Sequence, residues 1–345
     1  MSIFKEIKAL LTKEIPFVCY VKPNENHWNL LQQNNDEIIP FSGQSGFVFA
    51  PFDAGLKVVI PIDEAVFSKG VLEEIKRNQP TKINFLVTTQ KEVFEQLVTN
   101  GIQAITNGDF EKVVLSRKIE IPKQLAILET FQQLLIAYPT AFRYLFYHPK
   151  VGIWLGATPE QLVKISDNRF KTMALAGTQL YSENVNWETK EIKEQQFVTD
   201  YILAKVKDKA IRISNTKVQT VKAGNLAHLQ SLISGEFTDD FKALELIESL
   251  HPTPAVCGLP KENAFDFISK NEGYDRKYYT GFLGEFEMNN QTDLFVNLRC
   301  LEVEENITNI YVGCGITKDS NPEKEFIETE NKSMTMRNVL VFRLK

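Results

Sequence analysis

Residues 142–178 read FRYLFYHPKVGIWLGATPEQLVKISDNRFKTMALAGT. Four apolar runs stand out in it: FRYLFYHP, VGIWLGA, QLVKI and FKTMALAGT. Each is rich in aromatic and β-branched residues and bounded by turn formers, the pattern of short strands. No helical stretch separates them. Neighbouring strands of this kind pair antiparallel through short turns, whereas a parallel pair needs a long crossover, usually a helix. The segment therefore predicts an α+β fold with largely antiparallel sheets.

The flanks agree. Residues 16 to about 62 hold further short strands, PFVCYVKP, GFVFAPF and KVVIPI, broken by polar turns such as KPNENH. Val93, Phe94, Leu97, Val98, Ile102 and Ile105 recur at helical spacing and predict a helix over roughly 91–107, ended by Gly108. The strand EKVVLSRKIEI follows, then a helix over roughly 125–137. A charged helix covers about 186–209, and further strands and a helix lead to HPTPAVCGLP at 251–260. TDLFVNLRCLEV and TNIYVGCGI read as two strands, and a final helix starts at Pro322. No repeat or Pro/Ser-rich linker divides the chain, so residues 1–345 are expected to form one large domain.

Composition narrows the function. With 43% hydrophobic and 24% charged residues the chain is globular, and its 24 Phe require a large core. A net charge of −5 offers no basic field for nucleic acid. Cys19, Cys257, Cys300 and Cys314 are far apart and form no CxxC pair, which points to reduced thiols rather than disulfides or zinc. The N-terminal MSIFKEIKALLTKE is a short amphipathic helix without the apolar stretch of a signal peptide. No run approaches the ~20 apolar residues of a membrane span. A cytoplasmic protein with no membrane partner is expected.

Several residues could carry chemistry. Glu325, Glu328 and Lys332 fall on one face of the last helix, which Ser320 or Asn321 caps. They form either a solvated face with an i,i+4 ion pair or an oxygen site for a cation. Glu188, Glu191 and Glu194 give a second carboxylate set with the same two readings. Mg²⁺ commonly takes one or two carboxylates, and one glutamate from each helix suits it. Lys112 shares a strand face with Val114 and Ser116, so it either snorkels to solvent or is buried as a neutral base. Glu160 follows the turn Gly156-Ala157-Thr158-Pro159 and is either a turn residue or a carboxylate delivered at a sheet end. Arg299, on a strand, is costly to bury without an anion. His228 reads locally as a satisfied, half-buried histidine, and HPTPAVCGLP as a pocket wall. Gly313 and Gly315 let backbone amides approach a ligand.

Each signal is weak alone, but their order is informative. KVVLSR, LGATPEQLVKI, ALAGT, KEIKEQQFVTDYI, NLAHL, HPTPAVCGLP, YDRKYYTGFLGEF, NLRCLEV and GCGITKDSNPEKEFIETENK resemble the chorismate-utilising enzymes. That group includes isochorismate synthase, the anthranilate synthase large subunit, aminodeoxychorismate synthase and salicylate synthase. The resemblance covers roughly residues 91–345; residues 1–90 are less diagnostic. It implies one chorismate-binding domain of packed antiparallel sheets with helices outside.

Within the group, KVVLSR and HPTPAV look most like isochorismate synthase. Ala176 stands where the resemblance would place a nucleophilic lysine in aminodeoxychorismate synthase. The implied roles are Lys112 as the base activating water for attack at C2 of chorismate, and Glu160 as the acid protonating the departing C4 hydroxyl. Glu194 and Glu328 would hold Mg²⁺, with Glu325 a water-mediated ligand. Gly177, Thr178, His228, Ala255, Arg299, Gly313 and Lys332 match substrate-contacting positions, and Tyr279 lines the same pocket. No obligatory amidotransferase subunit is implied. The product would feed menaquinone or siderophore synthesis. Alternatives are anthranilate or salicylate synthesis and a chorismate-binding protein without catalysis. Three departures stand out: Glu194 is followed by Gln195 rather than His, Cys314 replaces Ala in Gly-Ala-Gly, and Thr158 replaces Ser before Pro159.

Overall fold

The structure, a computed structural model, describes residues 2–75, 88–224, 226–238 and 241–343. Asn225 of the NLAHL block lies outside the described residues. The chain runs α1 (Ile3–Thr12), β1 (Phe17–Val21), β2 (His27–Gln33), β3 (Gly46–Ala50), β4 (Val58–Pro61), β5 (Ala65–Val71) and α2 (Thr88–Asn107). Then come β6 (Lys112–Ile121), α3 (Ile127–Ala137), β7 (Phe142–His148), β8 (Gly152–Thr158), β9 (Gln161–Ser166), β10 (Arg169–Leu180) and α4 (Thr189–Val206). Next are β11 (Ala210–Asn215), β12 (Gln219–Ala223), β13 (Leu226–Phe237), α5 (Ala243–Leu250), β14 (Gly258–Leu259) and α6 (Lys261–Asn271). The chain closes with β15 (Phe282–Met288), β16 (Gln291–Val296), β17 (Cys300–Val303), β18 (Thr308–Ile316) and α7 (Pro322–Arg337).

Among the described residues the strands form two nine-stranded sheets. The first runs β14-β6-β18-β17-β8-β7-β1-β2-β5. The second runs β11-β13-β10-β9-β16-β15-β3-β4, with β12 also pairing β13. Paired strands are antiparallel throughout the described residues, as the run of adjacent strands requires. The sheets share an aromatic core including Tyr20, Phe49, Phe142, Phe146, Trp154 and Phe295. Residues 2–75 belong to this body: β1, β2 and β5 complete one edge of the first sheet, and β3 and β4 the edge of the second.

Some expectations change. TDLFVNLRCLEV is not one strand. It breaks at Asn297-Leu298-Arg299, where Arg299 adopts φ +49 and the chain passes from the second sheet to the first. The charged helix is shorter than its charges suggest: α4 starts after Glu188, which caps it. Glu188 and Glu191 form a reciprocal capping box, with Glu191 Oε2 accepting from the Glu188 amide at 3.0 Å. Helix α7 starts as expected, with Asn321 Oδ1 accepting from Lys324 N at 3.1 Å and Pro322 in the first turn.

Candidate active site

Two chain crossovers between the sheets lie side by side. One, Thr158-Pro159-Glu160, carries the chain from β8 to β9; the other, Asn297–Arg299, carries it from β16 to β17. Backbone bonds lock them together: Val296 N donates to Glu160 O and Ala157 N to Arg299 O, both at 3.0 Å. Thr158 Oγ1 donates to Val296 O at 2.6 Å and accepts from Glu160 N at 3.3 Å. The hydroxyl of a serine could make these same bonds, which accounts for threonine at this position. The result is a buried carboxyl beside a buried guanidinium. Burial pushes Glu160 up to about 7, although Lys112, Lys332 and Arg299 pull it back. Arg299 donates through Nη1 to Thr335 Oγ1 at 2.9 Å and to Lys332 O at 3.3 Å. Among the described residues its Nε and Nη2 have no partner, which leaves the forked edge for a carboxylate.

Glu160 and Arg299 face a common recess. Its floor comes from β6 and β18, which pair Val114 with Gly315 and Ser116 with Gly313. Lys112, the first residue of β6, is wholly buried just behind this floor; the snorkelling alternative is excluded. Its Nζ lies 3.0 Å from Glu194 Oε1 without an aligned hydrogen bond. Glu194 reaches it from α4 by lying against Gly315, where a Cβ would meet Glu194 Oε1 at 1.8 Å. The second glycine of Gly313-Cys314-Gly315 is thus required by a side chain rather than by a turn. Burial would raise Glu194, but Lys112, Lys190 and Lys332 overcome it and hold the carboxyl down at about 2.

Helix α7 supplies the opposite carboxylates. Glu328 Oε1 is 2.7 Å from Lys332 Nζ, which also donates to Gly313 O at 3.0 Å. Lys332 is therefore no idle surface pair: its ammonium sits on the floor strand inside the recess. Glu325 lines an adjoining recess that shares Thr178 and Glu328 with the first. Lys190 pairs with Glu325 Oε1, whereas Oε2 is buried and has no partner among the described residues. Burial, and then the charge of Glu328, push Glu325 up to about 7.

No three His, Cys, Asp or Glu side chains stand in a ready-made metal-binding group among the described residues. The donors nonetheless fit Mg²⁺, which takes oxygen ligands and often only one or two carboxylates. Glu325 has an orphaned buried oxygen, and the Gly315 cradle holds Glu194 where a side chain would displace it.

The second sheet supplies the far wall. A bulge in β10 between Ala176 and Thr178 is taken up by Gly177 at φ +73. His228, opposite Thr178 on β13, places Nδ1 3.0 Å from Gly177 O and 3.2 Å from Thr178 Oγ1. Burial, reinforced by Arg299 and Lys332, pushes His228 down to about 3, so it is neutral. A neutral ring donating from Nδ1 to a carbonyl has a bare acceptor at Nε2. That atom is buried without a partner among the described residues, so His228 is not the fully satisfied histidine its local sequence suggests. Ala255 and Tyr279 complete the wall; Tyr279 stacks on Tyr311, which stacks on Trp154.

Eleven of the thirteen expected residues thus line one recess: Glu160, Gly177, Thr178, Glu194, His228, Ala255, Tyr279, Arg299, Gly313, Glu328 and Lys332. Lys112 lies behind Glu194, and Glu325 in the adjoining recess. Sequence reasoning did not single out Lys190, the counter-ion of Glu325, and it read Gly315 as room for backbone amides rather than as the seat of Glu194. The signal for Lys190 was present: it lies one helical turn before Glu194.

These features define the class. The family model for chorismate binding enzymes matches residues 62–341, and the chain belongs to that family. Isochorismate synthase DhbC of Bacillus subtilis is 28% identical to it, over 95% of this chain and 90% of that protein. Anthranilate synthase component 1 of Thermococcus kodakarensis is also 28% identical, over 80% of this chain and 67% of its own length. Among solved structures, DhbC from Bacillus anthracis superposes with a TM-score of 0.82 at 23% identity, covering 98% of this chain and 99% of that one. The fold is therefore that of the chorismate-binding enzymes.

Proposed function

We propose that the protein is an isochorismate synthase, a Mg²⁺-dependent isomerase of chorismate that works in the cytoplasm without an amidotransferase subunit. The observation that carries this reading is a buried carboxyl held near neutrality in the recess, Glu160, together with a buried lysine, Lys112, just behind the recess floor. An acid and a base of opposite protonation are what water exchange on a ring requires. Ala176 in the recess wall can form no bond to the ring.

In this reading Arg299 holds the pyruvyl carboxylate through its free Nε–Nη2 edge, and Lys332 offsets the second negative charge. Lys112 takes a proton from water as the oxygen bonds to C2. The ring double bonds shift, and Glu160 protonates the C4 hydroxyl as its C–O bond breaks. One water enters and one leaves, so the reaction is an isomerisation. His228 Nε2 accepts a hydrogen bond from a substrate hydroxyl. Glu194 and Glu328 would hold Mg²⁺ directly and Glu325 through water; bound there, it orients the ring carboxylate and offsets charge as the hydroxyl leaves.

Anthranilate synthesis is the second reading, supported by the equal identity to the Thermococcus kodakarensis enzyme. The test is to incubate the protein with chorismate and Mg²⁺, with and without ammonia and with chelator, and to separate the products. Isochorismate in the Mg²⁺ samples alone is expected. Anthranilate or salicylate as the main product would replace this reading, and absence of turnover would favour a chorismate-binding protein without catalysis.

A further inference from the structure

Strand β6 carries Lys112, yet one of its edges is short of a partner. Among the described residues only the two-residue strand β14 pairs there, at Lys112 and Val113. Backbone bonds continue as far as Val114 N, which donates to Cys257 O at 2.7 Å. The next groups on that edge, Val114 O and Ser116 N, find side chains instead. Arg276 Nη2 donates to Val114 O at 2.7 Å, and Glu272 Oε1 accepts from Ser116 N at 2.7 Å. A guanidinium and a carboxylate thus take the places that an N–H and a C=O of a neighbouring strand would occupy.

The pair is closed. Arg276 has five N–H donors and all are used. Nε goes to Glu272 Oε2 at 2.7 Å, and Nη2 to Glu272 Oε1 and Val114 O. Nη1 goes to Val256 O at 2.9 Å and to Thr280 Oγ1 at 3.3 Å. Glu272 Oε1 also accepts from Ser116 Oγ at 2.9 Å, and Ser116 Oγ lies 2.6 Å from the hydroxyl of Tyr274. The guanidinium is buried over the ring of Phe52, 4.4 Å from its centroid. No donor is left for a substrate, so this arginine does not bind anions.

What it does hold is the geometry around the recess. Val114, Val256 and Thr280 all line the recess, and each is bonded to this one guanidinium. Thr280 sits at φ +60, a conformation that a β-branched residue adopts only under restraint. We propose that Arg276, seated by Glu272, is a positioning residue that fixes the strand of Lys112 against the Ala255–Val256 and Tyr279–Thr280 walls. The base is thereby held in register with the ring and the acid. The inference rests on the isochorismate synthase reading for its catalytic consequence, but not for its structural one.

The test compares Arg276→Lys with the unaltered enzyme. Lysine keeps the charge and reaches one acceptor in place of several. A loss of kcat of about 30- to 100-fold is expected, with KM for chorismate within about threefold, because misplacement of about 1 Å costs on the order of 10²-fold. Amide exchange at Val114 and Ser116 should rise in the same variant, independent of any activity. If Arg276→Lys is insoluble, Ser116→Ala removes a single hydroxyl and should lower kcat about fivefold at unchanged KM. Either variant with kcat within twofold of the unaltered enzyme, a change confined to KM, or unchanged exchange in the 112–117 strand would overturn the proposal. Failure of the unaltered enzyme to make isochorismate would refute the reaction assignment instead, and amide exchange would still judge the positioning.

Discussion

A single methyl group at Gly315 should disable the site while leaving the fold intact. The backbone there is ordinary extended strand, so Gly315→Ala introduces no strain and removes some unfolded-state entropy. Its Cβ, however, would stand 1.8 Å from Glu194 Oε1 and 3.1 Å from Lys112 Cε. Restoring even a tight contact of 3.0 Å moves the Glu194 oxygen by 1.2 Å, away from the strand that carries Lys112. A displacement of about 1 Å in a catalytic constellation costs on the order of 10²-fold in rate, or about 2.7 kcal/mol of barrier. We expect kcat/KM to fall about 100-fold, the Mg²⁺ concentration for half-maximal rate to rise at least tenfold, and Tm to change by less than about 3 °C. Steady-state assays across a Mg²⁺ series, with a thermal melt of the same sample, read all three quantities. Wild-type rates and an unchanged Mg²⁺ requirement in Gly315→Ala would show that Glu194 is not placed by this cradle.

Three further predictions follow from the same geometry. Because burial holds Glu160 at about 7 and the acid must be protonated, kcat/KM should fall about tenfold per pH unit above pH 7; a flat profile up to pH 9 would remove Glu160 from that role. The same shift has a stability sign: a carboxyl raised in the folded state destabilises it as pH climbs from about 4.5 through 7. Glu160→Gln should therefore melt higher than wild type at pH 8, by up to about 3 kcal/mol, and equally at pH 4, while losing turnover. Arg299→Lys keeps the charge but loses the free Nε–Nη2 edge, so KM for chorismate should rise more than about tenfold, with a smaller change in kcat.

The sequence made the fold legible wherever strands were bounded by turn formers, and less so elsewhere. Strand β2, HWNLLQQ, mixes buried polar and apolar residues with no alternation, and β5 is an edge strand with Val66, Phe67 and Val71 exposed. Neither carries the period-2 signal. The crossover at Arg299 was hidden because apolar residues flank it on both sides. The site was legible only as a constellation. Lys112 lies in a strand buried on both faces, so local pattern could not separate a buried lysine from a snorkelling one. Glu188, Glu191 and Glu194 look alike in sequence, yet two cap α4 and the third reaches the floor strand. Gln195 turns away from the recess, bonding Thr199 Oγ1 at 2.9 Å and Ser231 Oγ at 2.8 Å. That anchors α4 to β13 and keeps Glu194 in the expected register despite the missing histidine. Arg276 had no local signal at all, since its role depends on an unpaired strand edge that only the assembled sheet reveals.

The proposed reaction adds water at C2 while the C4 hydroxyl departs. It is tested most directly by an early-time reaction of the protein with chorismate and Mg²⁺ in water enriched in oxygen-18, with the product analysed by mass spectrometry and NMR. The account predicts isochorismate carrying one heavy oxygen, located on C2. Isochorismate without the label, or a product other than isochorismate, would contradict it.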